Sequence, residues 1–141
     1  VLKMNRVFII FIFVLLTVGC SNVVKNTEES ILLVEKQSTI KGNYEYCNKI
    51  KDEKEVQNIK KIINSINWKD AKVSMVYPPQ YKFYFEAIHE KKPSEDISYD
   101  IWISPRKDKI ELVREPEGNY INLNEKTSKL LFKLLTGENL N

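Results

Sequence analysis

"ISYDIWIS", residues 97–104, alternates without a break: Ile97, Tyr99, Ile101 and Ile103 fall on one side of an extended chain, and Ser98, Asp100, Trp102 and Ser104 on the other. Successive side chains of a strand point to opposite faces. The stretch therefore predicts a half-buried strand with one apolar face to be covered and one polar face.

The neighbouring segments repeat the theme. "YKFYFEAIH" (81–89) places Phe83, Phe85 and Ala87 on one side and Tyr84, Glu86 and Ile88 on the other, and "KKPSED" (91–96) reads as the turn between these two strands. Downstream, "PRKDK" (105–109) turns into "IELVRE" (110–115), and "PEGN" (116–119) turns into "YINL" (120–123). Upstream, "ILLVEKQSTI" (31–40) and "YEYCNKI" (44–50) flank Gly42-Asn43 and predict a hairpin. "AKVSMVY" (71–77) alternates at Val73, Met75 and Tyr77 and predicts one more strand, ended by Pro78-Pro79 because proline cannot donate to a ladder.

Two segments change period. Asp52 followed by Glu55 matches a capping box, and Val56, Ile59, Ile62, Ile63 and Ile66 then recur at three- and four-residue steps, predicting an amphipathic helix. Lys54, Lys60 and Lys61 lie off that stripe and form its solvated face, and Trp68 follows as a plug at one end of the core. A second helix is predicted after Asn124 as N-cap, with Leu131, Phe132, Leu134 and Leu135 buried and Gly137 as the stop. Short antiparallel links with no βαβ repetition define an α+β fold: an antiparallel sheet of four to six strands with two helices packed on one face.

The N-terminus has a different character. From Val7 to Val18 only Thr17 is polar, Lys3 and Arg6 precede the run, and Gly19-Cys20 ends it. The run is shorter than the roughly 20 residues a spanning helix needs, and it fits the apolar core of a secretory signal. A start at Val1 or at Met4 leaves a signal of this kind, with Arg6 kept ahead of the apolar run in both. Thr17-Val18-Gly19-Cys20 resembles the lipobox of bacterial lipoproteins, although Thr17 stands where leucine is usual. That resemblance implies a thioether-linked lipid on Cys20 and removal of residues 1–19. Two acyl chains give stable anchoring where one is marginal. Residues 20–30 then form a polar tether with a reach of roughly 17 Å, and 31–141 form a single α+β domain. The expected location is the extracytoplasmic face of the cell membrane.

Charge excludes one class of partner. The 22 basic residues lose Lys3 and Arg6 with the signal and nearly balance the 19 acidic ones, so no nucleic-acid binder is indicated. Cys47 has no intrachain partner once Cys20 is lipidated, and reads as a small half-buried side chain. His89 is the sole histidine, four glycines leave no phosphate loop, and neither a metal-ligand spacing nor a nucleophile elbow is present. No cofactor and no catalysis are expected. Arg106, Lys107 and Lys109, interrupted by Asp108, form a basic hairpin tip that reads first as a solvated turn and second as a contact for anionic headgroups or wall polymers.

The helix ending "INW", "PPQYKF", "YDIWIS", "YINL" and "SKLLFKLLTG" look, together with the lipobox, like the small YhfM-like lipoproteins of Gram-positive, Bacillus-type bacteria. The resemblance spans roughly residues 50–137. It implies location and fold and no defined chemistry. The expected role is non-catalytic binding by a membrane-tethered monomer, with an envelope protein or peptide as partner. Alternatives are an immunity or inhibitor-type lipoprotein that intercepts a peptide, an accessory subunit of an envelope complex, and a wall-directed hydrolase or transferase. Trp102, with Tyr84 joining it across the sheet, reads first as a cross-strand pair that protects the sheet and second as the candidate partner surface.

Overall fold

The computed structural model describes residues 29–71, 73–88 and 97–141. The lipobox, Cys20, most of the tether, His89 and the turn at 91–96 lie outside the described residues. The elements are β1 (Ser30–Gln37), β2 (Tyr44–Ile50), α1 (Glu53–Asn64), β3 (Tyr81–Ala87), β4 (Ser98–Ile103), β5 (Ile110–Glu115), β6 (Asn119–Asn122) and α2 (Glu125–Thr136). The strands form one six-stranded sheet in the order β2-β1-β3-β4-β5-β6. All its pairings are antiparallel. This is the expected α+β fold.

Both helices start as their caps dictate. The Asp52 carboxylate accepts from the Glu55 amide at 3.0 Å, and the Asn124 side chain accepts from the Thr127 amide at 2.9 Å. Gly137, at φ 76°, adopts the left-handed conformation that ends α2 and costs a residue with a Cβ. The apolar stripes of α1 and α2 cover one face of the sheet, where Leu32, Val34, Ile50, Phe83, Tyr99, Ile101, Ile110 and Leu112 meet Val56, Ile59, Ile63, Leu131, Phe132 and Leu135. Ile62, Ile66 and Leu134 are only partly buried at the margin of this layer. Phe83 stacks on Tyr99 with centroids 4.7 Å apart, and Trp68 leans on the same Tyr99 at 5.8 Å. Ser128, fully buried in α2, accepts from the Ile110 amide at 3.0 Å and donates to the Leu123 carbonyl at 3.3 Å, so one hydroxyl locks the helix to the start of β5.

The strand predicted at 71–77 does not form among the described residues. Lys69 makes one isolated antiparallel bridge with Tyr120 at the β6 edge. From there the chain runs as an irregular strap over the sheet face opposite the helices. The Trp102 indole N–H donates to the Tyr77 carbonyl at 2.8 Å, and the Tyr44 hydroxyl donates to the Pro79 carbonyl at 2.8 Å. Both side chains point to that opposite face by strand register. The physical reason is positional: after Lys69 the strap has no adjacent strand to pair with, and Pro78-Pro79 supply no N–H. Gln80 then joins the ladder, donating to the Ile101 carbonyl at 2.9 Å and accepting from the Ile103 amide at 3.0 Å.

Candidate interaction surface

The face opposite the helices divides in two. Over β4 the strap is held by Trp102, and Asp100 and Val113 are buried on this face although they point away from the main core. The boundary is marked by Lys82, whose ammonium sits 3.7 Å from the Asp100 carboxylate and 4.6 Å from the centroid of the Tyr44 ring. Asp100 Oδ1 has no hydrogen bond. Burial pushes its carboxyl above the usual aspartate range, and Lys82 opposes that shift.

Over β2, β1 and β3 the same face is open. The Tyr46 hydroxyl on β2 meets the Tyr84 hydroxyl on β3 at 2.8 Å, so two phenols arch across the intervening β1. Beneath them Leu33 is 8% exposed, buried on a face that no helix covers. Leu33, Tyr46, Cys47, Asn48, Lys49, Tyr84 and Glu86 line a shallow groove of about 560 Å³. Desolvation, followed by the hydrogen bond with Tyr46, holds the Tyr84 phenol well above the usual tyrosine range, so Tyr84 acts as a neutral donor–acceptor group.

Cys47 sits in this groove at an irregularity of the β1–β2 register, where the ladder passes from Val34–Asn48 to Glu35–Tyr46 and skips it. It is exposed, in contrast to the half-buried position expected for it. The skipped residue explains this, because a bulge leaves its extra side chain outside the alternation. Desolvation pushes its thiol up in spite of the nearby Lys36, which works against thiolate chemistry.

The two sequence-nominated residues share a face without meeting. Tyr84 pairs with Ser98 and Trp102 lies four positions further along β4, opposite Glu111. Trp102 is half-buried and engaged by the strap, whereas Tyr84 is in the open groove with Tyr46 as its companion. Sequence reading missed Tyr46 because alternation in β2 is reset by the bulge at Cys47. Among the described residues there is no cluster of three or more metal-ligating side chains, and no helix is long and apolar enough to cross a membrane.

Fold and surface together define a small sheet-and-helix domain with one face closed by helices, half of the other closed by a strap, and a tyrosine-lined groove left open. The chain belongs to the YhfM protein family, whose model matches residues 25–141. No curated protein matches it. No solved structure matches it either.

Proposed function

We propose that this chain is a lipoprotein, tethered through Cys20 to the extracytoplasmic face of the cell membrane, that binds a peptide or protein segment without catalysis. The observation that supports binding is the groove over β2, β1 and β3. It offers a buried apolar floor (Leu33), a hydrogen-bonded phenol pair (Tyr46 and Tyr84) and one charge of each sign (Lys49 and Glu86). Rigid tyrosines that present apolar area with a polar tip suit recognition surfaces. Among the described residues its lining pairs no base with Cys47, whose thiol desolvation pushes up, and this supports holding over turnover. The lipid anchor rests on the sequence from Val7 to Cys20.

A photoreactive aromatic residue in place of Tyr46 tests the binding reading in intact cells, with the same residue in place of the exposed Lys126 on α2 as control. An adduct of defined mass that forms from Tyr46 only, and that Tyr84→Ala weakens, is the expected outcome. Equal labelling from both positions would contradict a specific groove.

A further inference from the structure

The two ends of the sheet differ in charge and apolarity. At the end where β1 begins lie Glu29, the Lys51-Asp52-Glu53-Lys54 link and the Glu115–Gly118 turn, in which Arg114 is spent on Glu117 at 3.6 Å. Among the described residues there, acids outnumber bases. At the other end three connections line up in sheet order: the β1–β2 turn (38–43), the last part of the strap (76–80) and the β4–β5 turn (104–109). Their tips carry Lys41, Arg106, Lys107 and Lys109 against a single acid, Asp108, which Ser104 and Arg106 engage; Glu138, beyond α2 on the same side, lies 3.9 Å from Lys36. Between these charges stand Ile40, Val76 and Tyr77, which are 65%, 85% and 70% exposed.

Lone aliphatic side chains and a tyrosine, held out on turns and ringed by Lys and Arg, match the chemistry of a bilayer interface with anionic headgroups. We infer that this far end docks on an anionic phospholipid membrane. The acidic end is repelled from the same surface, so the charge separation sets the orientation. This inference rests on the surface alone and is compatible with the proposed tether. β1, with eight residues, is about 26 Å long. This exceeds the roughly 17 Å average reach of the tether but not the span of ten extended residues, about 33–36 Å, so a stretched tether lets an anchor in the same membrane reach the far end of the upright domain.

Hydrogen–deuterium exchange tests it, on the full chain as cells make it, mixed with vesicles of phosphatidylcholine alone or of phosphatidylcholine and phosphatidylglycerol in equal amounts. Flotation with the neutral vesicles reports the tether separately. With the anionic vesicles, residues 38–43, 76–80 and 104–109 should exchange at least about tenfold more slowly than with the neutral ones. The 115–118 turn should be unaffected. Lys41→Glu with Lys107→Glu should abolish the slowing, and Ile40→Ser with Val76→Ser should reduce it; all four positions are exposed, so the fold is retained. Equal exchange with both vesicles, or slowing that survives the charge reversal, would overturn the inference and leave this end to an acidic protein or wall polymer. Loss of flotation with slowing intact would count against the tether alone.

Discussion

The indole N–H of Trp102 donates to the carbonyl of Tyr77 at 2.8 Å, joining the centre of the sheet to the strap that crosses it. This bond gives the largest side chain of β4 an occupation within the fold. Trp102→Phe keeps the ring and removes the donor, and should cost about 1 kcal/mol in denaturant unfolding. Trp102→Ala also removes the apolar contact and should cost about 2 kcal/mol or more, with faster amide exchange across 73–79. Capture of a partner in the groove should be unchanged in both.

Ser128 is a second point of attachment. Ser128→Ala leaves the Ile110 amide without its partner in the closed interior, and should cost about 1–3 kcal/mol. Thermal melts would show a drop disproportionate to the loss of one hydroxyl.

On α1, the burial pattern ranks two changes that periodicity alone treats alike. Ile59 is fully buried, whereas Ile62 lies at the margin. Ile59→Asp should prevent folding, because it places an unpaired carboxylate in the core. Ile62→Asp should leave a folded chain with a lowered Tm. Circular dichroism of the two variants distinguishes them.

Asp100 and Lys82 make stability depend on pH. Burial raises the Asp100 carboxyl above its ordinary range, so the folded chain keeps this proton to a higher pH than the unfolded chain does. Its stabilising contribution is complete below the ordinary aspartate value and is lost as pH rises through the raised one. Asp100→Asn should therefore flatten that loss and give an equal or higher Tm near pH 7. Lys82→Met removes the cation beside the buried carboxylate. It should lower Tm near pH 7 and matter less as pH falls and the carboxyl takes up its proton.

Alternation in "ISYDIWIS" and "YKFYFEAIH" was enough to place the strands and their faces, since burial on one side imposes a period of two. The capping residues Asp52 and Asn124 and the stop at Gly137 placed both helices, because these positions satisfy local backbone demands. The strap at 71–77 was not legible. Its alternation mimics a strand, and what it lacks, an adjacent strand to pair with, is a tertiary fact. The groove was half legible: Tyr84 follows from strand period, while Tyr46 and the exposure of Cys47 depend on a bulge that local sequence does not announce. Ser128 reads as a polar residue on a helix and reveals its role only where β5 meets α2.

The proposed lipid anchor on Cys20 can be read from the mass of the native N-terminus. Mass spectrometry of the protein extracted from membranes should find Cys20 as the first residue, carrying a diacylglyceryl group, with residues 1–19 absent. A chain that retains residues 1–19, or that begins at Cys20 without acyl mass, would contradict the account.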